Sequence, residues 1–130
     1  MTADNDAAAA RELSEALKSF HRALIRAEVG NDPNLQGPYT QLFALIGDPR
    51  FAWMAGLSKL IARIDHAVAE GEIEGQASVA GFRDEAAAFI GEGEDEALAQ
   101  FRLRHLVALQ TEPEVGLATG SLRRTLAKLR

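Results

Sequence analysis

Arg102, His105, Ser58 and Asp65 are the residues of this chain whose types and placement could do chemistry together. His105 falls in the middle of an apolar face made by Leu98, Phe101 and Leu109, and Arg102 emerges one turn earlier. A buried imidazole must find a partner, because an unpaired buried polar group costs about 1–3 kcal/mol. A buried guanidinium needs a counter-charge still more. Ser58 and Asp65, on one flank of the helix that carries Trp53, are the partners the pattern offers. The four are expected to line one polar pocket inside the protein. A histidine beside a carboxylate there would be equipped for acid–base or ligand chemistry. A satisfied polar cluster that fixes helix register needs only the contacts, and is the more ordinary reading.

Other chemistries have less to stand on. Carboxylate-bridged metal bundles need Glu-x-x-His on two helices, and this chain has none. His66 and Glu70 are one turn apart but point away from their apolar stripe, and His21 lies at the border of its own. The absence of cysteine excludes disulfides, thiol catalysis and thiolate-ligated metals. No Gly-x-Ser-x-Gly turn holds a serine for attack. Gly91-Glu92-Gly93-Glu94 is acidic and would repel a phosphate rather than cradle it. No catalytic residue, metal site or cofactor is expected.

The element that must hold Ser58 and Asp65 is the best-defined one in the chain. Asp48 can accept from the open N–H groups of a first turn, and Pro49 fits the first helical position. Trp53, Met54, Leu57, Leu60, Ile61, Ile64 and Val68 then share one broad face of a helix running to about Glu70, with Lys59, Arg63, His66 and Glu70 opposite. Ala55, Ala62 and Ala69 recur every seven residues along one flank, where a second helix could approach closely. This segment resembles the middle helix of a group of small bacterial helical proteins. In that group Asp-Pro-x-Phe-Ala-Trp precedes Leu-Ser-x-Leu-Ile and Ile-Asp. Pro113-Glu114-Val115 with Leu122-Arg123 is similar as well. The resemblance implies a helical fold and no particular reaction. Met54-Ala55-Gly56 stand where that group often has Leu-Arg-Pro, so no role passes to an arginine there.

The remaining elements follow from periodicity and punctuation. A first helix is predicted over about residues 4–28, with Leu13, Ala16, Leu17, Phe20, Leu24 and Ala27 as its stripe, ended by Gly30 through Asn34. A short helix spans about 39–46, and a turn falls at Gly71–Gly75. The next helix covers about 76–90 and breaks at Gly91-Glu92-Gly93. Glu94, Asp95 and Glu96 then sit in the first turn of a helix reaching about Gln110, where negative charge suits the dipole. That helix is apolar on two faces, with Leu103, Leu106 and Val107 on the second, which predicts a central position. Thr111 through Glu114 resembles a capping box before the last helix. Val115, Ala118, Leu122, Leu126 and Leu129 form the last stripe, with Gly116 and Gly120 behind it as a possible break. The expected fold is all-α, one compact single-domain bundle of five or six helices over residues 1–130.

Composition bounds what such a bundle does. The 130 residues suffice to bury a real core. Content of 47 % hydrophobic and 25 % charged residues is that of a globular protein. No apolar run approaches the roughly 20 residues of a membrane span, and the acidic start lacks the features of a signal peptide. A cytoplasmic location and, from the Ala- and Arg-rich usage, a bacterial source are the expectations. Residues 70–96 hold nine acids against one base, and residues 97–130 hold six bases against two acids. Arg123, Arg124, Lys128 and Arg130 form a basic patch, more simply read as packing near the acidic middle of its own chain. A net charge of −5 argues against nonspecific nucleic-acid binding. The expected function is a non-enzymatic interaction or regulatory module, self-associating as a dimer or meeting a protein partner. Its interaction face is the Ala55, Ala62, Ala69 flank or the Gly116, Gly120 face. The alternative is a small-molecule-binding bundle or minor enzyme built on the Arg102, His105, Ser58 and Asp65 set. Weak nucleic-acid binding through the basic helix comes third.

Overall fold

The computed structural model describes residues 2–73, 75–91 and 96–129. Six α-helices form one bundle, and no strand occurs among the described residues. Helix α1 spans Thr2–Val29 and is its axis, packing against the third, fourth, fifth and sixth helices. Its Ala10, Leu13, Leu17, Phe20 and Leu24 are wholly buried, at the three- and four-residue steps of a single stripe. Gly30, at φ +52°, ends it by returning its N–H to the Arg26 carbonyl, a conformation that glycine adopts without steric cost.

A 3-10 turn at Pro33–Leu35 leads to α2, Pro38–Gly47. Asp48 closes one element and opens another. Its N–H bonds the Ala44 carbonyl at the end of α2, and its side chain accepts from the Arg50 N–H ahead. The expected cap at Asp48 is therefore present, but the first turns after it are 3-10 helix, Pro49–Met54. With three residues per turn, Phe51 and Met54 come onto the same side and both are buried, while Trp53 is half-buried. Helix α3, Ala55–Ala69, then buries Leu57, Leu60, Ile61, Ile64 and Ala67. Gly71, at φ +68°, reverses the chain while Glu72 bonds back to the Ala67 carbonyl.

Helices α4, Gln76–Ile90, α5, Glu96–Thr111, and α6, Pro113–Lys128, complete the bundle. Glu94 and Asp95, expected in the first turn of α5, lie outside the described residues. Phe101 of α5 is the hub of an aromatic cluster. Its ring centroid lies 4.8 Å from Phe89, 5.2 Å from Trp53 and 6.1 Å from Phe20, which joins α4, the 3-10 segment and α1. Two expectations are corrected, and one point left open is decided. Helix α5 is not central: Leu103, Leu106 and Val107 are all more than half exposed, because α1 occupies the axis and covers only the Phe101 side. Thr111 does not cap α6. Its hydroxyl turns back to the Ala108 carbonyl, and Glu112 accepts from the Glu114 N–H instead. Helix α6 runs unbroken through Gly116 and Gly120, its stripe of Val115, Thr119, Leu122 and Leu126 buried against its neighbours.

Candidate functional site

The four polar residues singled out in the sequence are divided between two places. Ser58 and Asp65 face α1. The Ser14 hydroxyl donates to Asp65 Oδ1 at 2.5 Å, Lys18 Nζ lies 3.0 Å from Asp65 Oδ2, and Ser58 Oγ is 3.1 Å from His21 Nε2. One further step along α1, Glu28 accepts from the Trp53 indole N–H at 3.1 Å. Ser14, His21 and Glu28 are spaced by seven residues on α1, and Ser58 and Asp65 by seven on α3. The result is a polar seam that runs antiparallel between two apolar surfaces. A slip of register would separate every rung and leave the buried Ser14 hydroxyl without Asp65. Burial pushes the Asp65 carboxyl up, but Ser14 and Lys18 together hold it below the usual carboxylate range. Burial pushes His21 down. The signal for this seam was the heptad recurrence of polar residues on α1; His21 read alone looks like a boundary residue.

Arg102 and His105 sit elsewhere, between α4, α5 and α6. Arg102 donates from Nε at 3.0 Å and Nη2 at 2.7 Å to the Ala88 carbonyl, and Arg123 from Nη2 at 3.4 Å to that of Ile90. The last turn of a helix leaves carbonyls without intrahelical partners, at the negative end of its dipole. Those of α4 are the counterpart that the sequence sought in Asp65. The single pocket of Ser58, Asp65, Arg102 and His105 is therefore not formed, because α3 turns its polar flank to α1 while α5 and α6 turn theirs to the end of α4.

His105 is buried, edge-on to Phe20 with centroids 5.2 Å apart, and its Nε2 is 2.9 Å from Thr119 Oγ1. The Thr119 hydroxyl gives its one proton to the Val115 carbonyl at 2.6 Å. His105 must then donate from Nε2, which makes it the neutral Nε2–H tautomer with a bare Nδ1. Burial, and next the charge of Arg123, push its pKa down, in agreement with a neutral ring. Beside it opens a cleft of about 640 Å³, walled by Ile90, Leu106 and Leu109 and flanked by the two arginines.

The surface features divide in the same way. Ala55, Ala62, Ala69 and Gly116 are exposed and Gly120 is partly so, so neither face is buried among the described residues. Of the basic patch, Arg123 reaches the end of α4, Lys128 pairs with Glu12, and Arg124 is exposed; Arg130 lies outside the described residues. The largest apolar exposure is on α2, which the sequence did not mark as an interaction face. Tyr39, Leu42, Phe43 and Ile46 are between 51 % and 77 % exposed, and α2 has no buried residue. Among the described residues no cluster of three or more His, Asp or Glu could hold a metal ion, and no helix is long and apolar enough to cross a membrane. No family model, no curated protein and no solved structure matches the chain.

Proposed function

We propose that this protein is a non-enzymatic helical interaction module that self-associates through the outer face of α2. The observation that carries this reading is the set Tyr39, Leu42, Phe43 and Ile46, spaced i, i+3, i+4 and i+7 and turned outward. That spacing makes the seam of a helix pair. Aromatic side chains present about 150–250 Å² each, and with Leu42 and Ile46 beside the mostly exposed Tyr39 and Phe43 on the order of 500 Å² is gathered here. That is near the upper end of the largest apolar patch a monomer carries, and such patches are often functional. A standard interface takes about 800 Å² from each partner, of which α2 supplies more than half.

A second copy is the occupant that the chemistry fits. In a two-fold pair the same patch meets itself, so a charge near the axis meets its own copy. Helix α2, Pro-Tyr-Thr-Gln-Leu-Phe-Ala-Leu-Ile-Gly, carries no charge in a chain of net charge −5. The flank of Ala55, Ala62 and Ala69 and the face of Gly116 and Gly120 are the sequence-level alternatives. Their small side chains offer close approach but little apolar area.

Native mass spectrometry and sedimentation at micromolar concentration test the proposal. A dimer at twice the bare chain mass is expected, converted to monomer by Phe43→Glu with the helical circular dichroism unchanged. A protein that stays monomeric, or a dimer that persists in Phe43→Glu, overturns it.

A further inference from the structure

The outer face of α5 is a second uncovered apolar surface. Leu103, Leu106 and Val107 are all more than half exposed, at the i, i+3 and i+4 steps of one stripe. Apart from Leu117 on α6, every exposed large apolar residue among those described lies either there or on α2. We propose that these two faces are partners across the self-association interface, α2 of each copy lying on α5 of the other. The pairing rests on the reading that α2 mediates self-association, and names what its outer face lies on.

The two helices adjoin one segment. The 3-10 turns of Pro49–Met54 pack against both α2 and α5. Trp53 of that segment and Val107 of α5 line one pocket, to which α4 and α6 contribute nothing. Gln41 of α2 and Thr111, one turn beyond Val107, line another. Val107 therefore stands on the flank of α5 that faces this segment. A standard interface takes about 800 Å² from each partner. Helix α2 gathers on the order of 500 Å², which leaves about 300 Å² to be found beside it. The aliphatic stripe of α5 is the apolar surface at hand.

Charge and coverage favour the reciprocal arrangement over like-on-like pairing. Arg104 is exposed next to Val107. Helix α5 laid on α5 of a second copy would bring that charge toward its own copy, whereas α2 has no charge to oppose it. Pairing α2 with α2 covers one stripe and leaves that of α5 bare. An axis passing between the two helices makes the α2–α5 contact twice and covers all four stripes of the dimer.

Sedimentation and native mass spectrometry of the full chain test the arrangement, with Val107→Lys, Phe43→Glu and an equimolar mixture of the two variants. Val107→Lys is expected to weaken self-association at least about thirtyfold, since each dimer would bury the introduced charge twice. Leu103→Lys, at the most exposed of the three positions, should do the same, and circular dichroism checks that both variants stay helical. In the mixture, the acid introduced on α2 of one copy faces the base introduced on α5 of the other. A heterodimer of the two masses is therefore expected where each variant alone is monomeric. If the unaltered chain dimerises, Val107→Lys and Leu103→Lys variants that pair as tightly as it does, or a mixture that stays monomeric, overturn the α2–α5 pairing and leave α2-mediated association standing. An unaltered chain that is itself monomeric overturns both.

Discussion

Helices α1 and α2 are opposites in composition and burial. Helix α1 carries acids and bases along much of its length, yet it is the axis of the bundle and buries the largest share of the core. Helix α2 has no charged residue and buries none of its ten. Burial here follows amphipathic contrast and length rather than apolarity. The charged side of α1 leaves its stripe one place to go, and its 28 residues give four other helices a surface to share. Helix α2 is short and turns only Gln41, Ala44 and Leu45 partly inward; its packing is mainly against the two flanking 3-10 segments. An apolar helix left outside keeps its face uncovered, whereas a mixed helix inside is scaffold.

Substitution at matched sites breaks this comparison most directly. Leu17→Ala on α1 is expected to cost about 2–5 kcal/mol, as for other fully buried leucines. Phe43→Ala on α2 should stay within about 0.5 kcal/mol in dilute protein, where only the monomer is weighed. Urea denaturation of both variants at low concentration checks the pair, and equal losses would mean that α2 is part of the core. A smaller effect is expected where polar groups are buried among the helices. Thr119→Val removes the hydroxyl that accepts from His105, leaving a buried N–H without its partner, at about 1–3 kcal/mol. The same urea midpoints read it.

The mildest perturbation is pH. His21 and His105 both have folded pKa values below the ordinary 6.5. Above that value neither state binds the proton and stability is level. As pH falls below it, the unfolded chain takes up protons that the folded one refuses, so stability declines. Asp65, held below its ordinary 3.8, adds its loss only at much lower pH. A urea midpoint that falls between pH 7 and pH 5, and falls less in His21→Gln, is the expected result. A midpoint that rises over this interval would contradict the burial of both rings.

Much of the fold was legible because punctuation is local. Asp48-Pro49, Gly30, Gly71 and Pro113 set element boundaries through their own backbone preferences, and the helices start and stop close to them. Polar pairing was less legible because it depends on register between helices that are far apart in sequence. Ser58 and Asp65 were recognisable as a pair on one flank, but nothing local says that this flank meets Ser14 and His21 rather than Arg102 and His105. Exposure was least legible. Leu103, Leu106 and Val107 read as a second core face, since an apolar side chain is written the same way whether its neighbour is the protein or something else.

The antiparallel packing of α1 on α6 has a consequence for biosynthesis. Lys128 near the end of α6 pairs with Glu12 in the first half of α1, although 116 residues separate them. At a synthesis rate of about 5–20 residues per second, α1 leaves the ribosome on the order of 10 s before the helix that covers it. Through that interval Leu13, Leu17 and Phe20 have no sixth helix to shelter them. During that interval the apolar stripe of α1 is covered only by the helices made before α6, so its burial is completed late in synthesis.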